Sequence, residues 1–286
     1  MFFFIGLVIV IGSVLGGYMP HGDIRVLWQP FEVVIICGAA AGGFIIANSK
    51  STLSAVGKRF SNVMKGGSPY HKADYVELLT MLFSVFKLAK SKGALALEAH
   101  IENPEESSIF ANYPAFMKNQ DAVEFFCDTM RLMTMGSDNP HELEAMMEQD
   151  IEARKHEGHE VAHAVTNMGD GLPAFGIVAA VLGVIVTMGS ISEPPEILGA
   201  LIGGALVGTF LGVLLSYGIV GPIGQNLATY NDAEFKYLEC MKAGIIAHAQ
   251  GYAPAISVEF ARKTLCGHDR PTFFEVEEAT ANVLPA

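Results

Sequence analysis

The chain has 286 residues, of which 51% are hydrophobic and 17% charged, with 30 acidic against 18 basic residues and a net charge of −12. Soluble domains carry about 25% charged residues, so this composition is too poor in polar surface to face water on all sides. The acidic balance argues against a nucleic-acid partner.

In chain order, the apolar residues gather into four runs. Met1 to Pro20 is uncharged, and so is Val33 to Ser49; Gly171 to Ser192 and Ile197 to Asn231 complete the set. A spanning helix needs about 20 mostly apolar residues, which predicts membrane helices near 1–18, 30–49, 172–191 and 198–222. The first run lacks a basic leader and an A-x-A step, and it reads as an anchor. The loop from Met19 to Gln29 holds one basic residue, Arg25, and the loop from Ile191 to Glu196 holds none. Lys50, Lys58, Arg59 and Lys65 follow the second run, and Lys236 and Lys242 follow the fourth. The positive-inside rule then predicts cytoplasmic termini and a cytoplasmic middle segment.

That middle segment is too long for a bare loop. Tyr75 to Leu97 carries Leu78, Leu79, Leu82, Val85, Phe86, Leu88 and Ala89 at helical spacing. Gln120 to Met135 repeats the pattern, Asn139 is placed to cap a helix opening Pro140-His141-Glu142, and a further helix is predicted from Leu227 to about His248. The expected class is therefore all-α: a polytopic membrane protein with four transmembrane helices and a helical cytoplasmic domain between the second and third. The predicted regions are 1–49 (spans one and two), 50–167 (cytoplasmic), 168–225 (spans three and four) and 226–286 (cytoplasmic helix and tail).

Small residues line the spans. Gly204, Gly208 and Gly212 make GxxxG steps, as do Gly38 with Gly42 and Gly12 with Gly16. Such ridges let helices approach closely in lipid, within one chain or between subunits. No ionisable side chain lies in the middle of a span, and Glu32 and Asp170 stand at span ends. An ion-driven device keeps such a group at membrane depth, so if the chain belongs to one, another chain must supply the carboxylate. Pro173 and Pro222 fall at predicted cytoplasmic span ends, as helix punctuation or as paired hinges. Thr209 is near mid-span, where its hydroxyl can bond the preceding turn or line an ion path. Cys37, Cys127, Cys240 and Cys266 form no CxxC, so neither a disulfide framework nor a cysteine metal site is signalled, and four buried thiols are expected. His159-Glu160-Val161-Ala162-His163 matches the HExxH pattern of zinc proteases, although a polar helical approach to a membrane span favours a solvated face.

Several segments, in order, carry a resemblance. These are Gln29-Pro30-Phe31-Glu32-Val33-Val34-Ile35-Ile36 with Gly38, Ile101-Glu102-Asn103-Pro104, Asp170 through Val178, Val207 through Gly212, and Gly251-Tyr252-Ala253-Pro254 with Val258-Glu259-Phe260 and Arg262-Lys263. Across essentially its whole length the chain resembles the MotA flagellar stator subunits of the MotA/TolQ/ExbB proton-channel family. The resemblance implies a homopentamer in the bacterial inner membrane around a dimer of a MotB-like, peptidoglycan-anchored partner that supplies the membrane aspartate. The ring would push on the rotor protein FliG; no cofactor, metal or enzymatic activity is expected. It places Lys90 and Glu98 at rotor-interacting positions, with Lys90 where the family typically has arginine. Pro173 and Pro222 fall at the family's paired prolines, Thr209 at a channel-lining position, and Ala180 where sodium-using relatives carry threonine. Ala180 offers no oxygen for a hard cation, which predicts proton coupling. An ExbB/TolQ-like energiser of an outer-membrane system is the alternative within the superfamily, and a zinc protease from His159, Glu160 and His163 a remote one.

Overall fold

A computed structural model describes residues 2–65, 69–136, 139–281 and 283. Met1 of the first predicted span and the end of the predicted C-terminal tail lie outside them. Among the described residues the chain is helical with no strand. It divides into two compact units, one of residues 1–67 and 157–230, the other of 68–156 and 231–286.

The first unit contains α1 (Phe2–Tyr18), the single turn α2 (Ile24–Leu27), α3 (Pro30–Ala47) and α4 (Lys50–Lys65). It also takes the C-terminal part of α9 (Pro140–Gly189), α10 (Pro195–Leu215) and the start of α11 (Gly221–Ala249). Three helical stretches are long and apolar enough to cross a membrane: Ile24–Ala47, and parts of Pro140–Gly189 and Pro195–Ala249. Helix α1 is as apolar but has only 17 residues, about 25 Å of helix. Ile36 and Ala40 of α3 pack with Leu172 and Ala179 of α9, joined by Leu211 and Leu215 of α10. A second cluster joins Ala162 and Val165 to Ile223 and Leu227, with Phe3 and Val56 against it. Val8, Ile9, Val34, Ile46, Ile185 and Leu206 lie on the outside, as expected of helices whose solvent is lipid.

The second unit contains α5 (Lys72–Lys92), α6 (Glu98–Glu102), α7 (Pro114–Lys118) and α8 (Gln120–Thr134), together with the remainders of α9 and α11. It closes with α12 (Pro254–Lys263) and α13 (Phe273–Ala281). Its core holds Leu78, Leu79, Leu82, Val85, Phe86 and Leu88, the face predicted from spacing, against Phe126 and Met130 of α8 and Tyr237, Met241 and Ile245 of α11. Tyr237 stacks on Tyr70 with ring centroids 4.2 Å apart. The Glu77 carboxylate accepts from the Ala115 and Phe116 N–H groups at 2.6 and 3.1 Å, which caps the short α7 from outside. Asn139 accepts from the His141 N–H at 3.1 Å, the predicted start of α9.

Three expectations are corrected. The helix predicted over Tyr75–Leu97 stops at Lys92, because Gly93 takes φ +88° and the chain continues as a tight turn over Ala94–Leu97; a positive φ suits glycine and ends the helix. Pro173 does not open a helix but lies inside α9. Cys127 and Cys240 are buried, whereas Cys37 and Cys266 are exposed. Burial pushes the Cys240 thiol up to about 12, so it stays a neutral thiol donating to the Ala261 carbonyl at 3.3 Å.

The second unit also holds a buried charge. Arg262, with 8% of its side chain exposed, meets both carboxylate oxygens of Glu259 at 2.6 Å and donates to the Pro271 carbonyl at 2.8 Å. Hydrogen bonding to Arg262 holds the Glu259 carboxyl below its ordinary range. A depressed folded-state value stabilises the unit above the unfolded value and is lost as pH falls through the folded one, so acid weakens this corner. Arg262→Ala removes three donors at once and is expected to cost about 3 kcal/mol, the low end for a broken buried pair because Glu259 keeps some water. Denaturant unfolding of the purified protein reads this, with Arg262→Lys losing less.

Candidate functional site

The glycines of α10 lie against those of α9. A Cβ on Gly212 would stand 2.7 Å from the Leu172 carbonyl oxygen and 2.9 Å from Gly176 Cα; one on Gly176 would stand 2.8 Å from the Gly208 carbonyl oxygen. A Cβ on Gly183 would stand 2.7 Å from that of Ala205. Here backbone touches backbone, and the GxxxG steps of α10 are an intrachain seam. Their counterparts were readable: Gly169, Gly176 and Gly183 recur every seven residues, two helical turns on one face. By contrast, Cβ atoms on Gly12, Gly16, Gly38 or Gly42 would meet nothing within 4 Å among the described residues. The predicted ridges of the first two spans face away from this chain's own packing.

The two prolines fall at one junction of this seam. A Cβ on Gly169 would stand 3.2 Å from Val220 and 3.4 Å from the Gly221 backbone N. Pro173 has no N–H, so the helix carbonyl four residues earlier, that of Gly169, loses its ordinary donor. On the other side, residues Ser216–Val220 form a widened π turn in which the Gly221 N–H donates to the Ser216 carbonyl, and Pro222 follows directly. A proline ring collides with the carbonyl four residues back; a wider turn just before it relieves that collision. The helical path therefore continues past Pro222 instead of stopping there, and Pro222 is exposed while Pro173 is half-buried. Pro173→Ala restores a donor to the α9 ladder on one side of the junction. It is expected to leave protein levels intact and to cut any activity that needs the junction to move at least several-fold, read as the ratio of activity to membrane-inserted protein.

Ala180 and Thr209, both half-buried, border the same seam. The Ala180 backbone N stands 3.1 Å from where Gly208 would carry a Cβ. The Glu32 carboxylate reaches this point too, as described below; hydropathy marks it only as the edge of a run. The structure thus brings Pro173, Pro222, Thr209 and Ala180 into one unit.

Lys90 and Glu98 belong to the other unit, both exposed. They lie on separate helices, α5 and α6, divided by the Gly93 turn, so a shared helical face is ruled out. Lys90 Nζ donates to the Gly251 carbonyl at 3.4 Å, and Gly251 has φ +88°. His248 stacks on Phe86 at 4.5 Å and is held below its ordinary pKa by burial and by Lys90. The HExxH residues lie on α9, where His163 Nδ1 is 3.0 Å from Asn167 Nδ2. Among the described residues no three His, Cys, Asp or Glu side chains are grouped to hold a metal ion.

Two family models match the chain: the N-terminal region of motility protein A over residues 4–93, and the MotA/TolQ/ExbB proton channel family over 118–240. Motility protein A of Escherichia coli (strain K12) is 42% identical over 283 residues, covering 97% of this chain and 94% of that one. Chemotaxis protein LafT of Vibrio parahaemolyticus is 35% identical over 96% of each chain. The solved structure of C. jejuni MotAB has a TM-score of 0.77 at 22% identity, covering 92% of this chain and 95% of that one. The flagellar MotAB stator complex from Bacillus subtilis has a TM-score of 0.72 at 23% identity, covering 90% and 92%. The glycine seam, the apolar helices and these whole-length matches lead to one conclusion: the chain is a membrane protein of the motility protein A family, within the MotA/TolQ/ExbB proton channel family.

Proposed function

We propose that the chain is the stator subunit of a bacterial flagellar motor, forming with a MotB-like partner a proton channel whose ion flow drives torque on the rotor. The observation that carries this is likeness over essentially the whole chain to a relative named for motility; a superfamily member with another duty would share the channel segment alone. That same observation disfavours the ExbB/TolQ-like reading.

In this reading the chain crosses the inner membrane four times, with α1 as the shortest span, and both termini and the second unit are cytoplasmic. Five copies surround a partner dimer anchored to peptidoglycan, and the partner supplies the membrane aspartate. The outward-facing ridges at Gly12, Gly16, Gly38 and Gly42, which have no partner atom within 4 Å in this chain, suit contacts between copies. One charge crossing the membrane potential releases about 2.3 kcal/mol per 100 mV, enough to shift a two-state junction severalfold. The paired prolines are the proposed junction, Thr209 lines the ion path, and Ala180 leaves it without the oxygen a sodium ion would use. Lys90 and Glu98 face the rotor protein FliG; a lysine point charge steers the encounter but lacks arginine's planar fork.

The test is complementation. In cells lacking their own stators, expression of this chain with its partner is expected to restore rotation, and expression of either alone is not. A stable complex that never turns a motor would overturn the reading.

A further inference from the structure

Glu32 is the third residue of α3, where a glutamate ordinarily folds back on the free N–H groups of its own first turn. Here it does not. Its Oε2 is shielded from solvent and has no hydrogen-bond partner among the described residues. The carboxylate instead enters the place where α3 meets α9 and α10. A Cβ on Gly208 would stand 2.9 Å from Oε2, and one on Gly183 would stand 3.6 Å from Oε1. The side chain thus uses space that glycine leaves open at Gly208, and it lies in ordinary contact distance of the Gly183 position.

The described groups that these distances place beside it are uncharged. Helix α9 presents Gly183, Ala179 and the Ala180 backbone, and α10 presents Gly208. One turn before Glu32, the Gln29 amide lies 3.0 Å from the equivalent point on Gly204, and from α2 the apolar Val26 stands against Gly203. With one of its two oxygens cut off from water and from donors and the residue half-buried, the carboxylate is costlier to keep as an anion than in water, and Gly183, Ala179, Ala180 and Gly208 beside it supply no counter-charge. Such a group is a holding place for a cation, of which the smallest is a proton. Through Ala180 and Gly208, the neighbour of Thr209, it abuts the residues assigned above to the ion path.

We propose that Glu32 is a proton-loading group contributed by this chain. Its carboxylate takes one proton from water on the outer side, sits in the Gly183–Gly208 notch as the neutral acid, and gives that proton to the partner's membrane carboxylate. It returns as an anion, so one proton enters and one leaves per cycle. The inference rests on the stator reading, and it amends the expectation that every carboxylate serving the ion belongs to another chain. The partner's group remains the indispensable carrier; Glu32 raises the rate at which it is filled.

The experiment measures single-motor speed at low load, from acidic to alkaline external pH, in cells whose only stators contain this chain and its native partner. The wild type, Glu32→Gln and Glu32→Asp are compared, each normalised to membrane-inserted complex. Glu32→Gln is expected to match the wild type in acid, where protons are plentiful, and to run several-fold slower at alkaline pH, with Glu32→Asp between them. A pH-difference infrared spectrum of the purified complex is expected to contain a carboxylic-acid band that Glu32→Gln removes. That spectrum decides the matter even if Glu32→Gln assembles poorly. A Gln variant that tracks the wild type at every pH would overturn the proposal, as would an equal loss at every pH with Asp no better than Gln, or a defect that follows external sodium. Failure of the wild type to turn a motor would instead overturn the stator reading.

Discussion

Gly212→Val is expected to remove the protein from the membrane fraction and to abolish motility outright. The reason is the short distance across the seam. A Cβ at this position already falls 2.7 Å from the Leu172 carbonyl oxygen and 2.9 Å from Gly176 Cα, so two backbones, not two flexible side chains, must separate. Overpacking of a tight core costs about 1–3 kcal/mol where side chains can give way, and this contact has none to move. Separation of α9 from α10 also loses the Gly176 contact with the Gly208 carbonyl and displaces Leu172 from its cluster with Ile36, Ala40 and Ala179. Gly212→Ala is expected to show a milder form of the same defect. Gly12→Ala and Gly16→Ala serve as controls: they meet nothing within 4 Å among the described residues, so any defect they cause is expected in subunit assembly rather than in folding. Immunoblots of membrane fractions beside swim assays check the series; normal levels of Gly212→Val would disprove the seam.

Glu98→Lys is the second large effect, and it is of the opposite kind. Glu98 and Lys90 are exposed, and exposed substitutions usually shift stability by within about 0.5 kcal/mol, so membrane levels should not change. Like charges brought together at an interface cost several kcal/mol, so torque is expected to fall several-fold or to be lost. A compensating charge reversal on the rotor should recover part of it. Motility of an Glu98→Lys strain equal to the wild type would withdraw Glu98 from the rotor surface.

Much of this was legible in the sequence, for definite reasons. Apolar runs and helical spacing are local properties, and they found the three helices long and apolar enough to span a membrane and the buried face of α5. The α10 glycines announced a close contact, while their partners on α9 needed a seven-residue period to be noticed. Other features depend on what the chain meets in space. Pro173 looks like helix punctuation until α9 is seen to run through it, because a neighbouring helix fixes what an isolated proline would break. The π turn before Pro222 has no sequence signature. Gly93 was an ambiguous residue inside a helical pattern, and its positive φ decided against the helix. Glu32 marked the edge of a hydropathy run, and nothing local says that it turns inward to a notch formed by glycines far along the chain. Arg262 gave no signal of burial, since its pairing with Glu259 one turn earlier in α12 is an ordinary surface pattern and the Pro271 carbonyl reaches it only after the chain turns back beyond α12.

The most direct measurement follows the speed of a bead on a single motor as this chain and its partner are induced in a stator-less cell, with the proton and sodium gradients controlled separately. Rotation should resume in discrete increments, stop when the proton gradient is collapsed, and persist without sodium. Rotation that survives loss of the proton gradient but stops without sodium, or an assembled complex that produces no increments, would contradict a proton-driven stator.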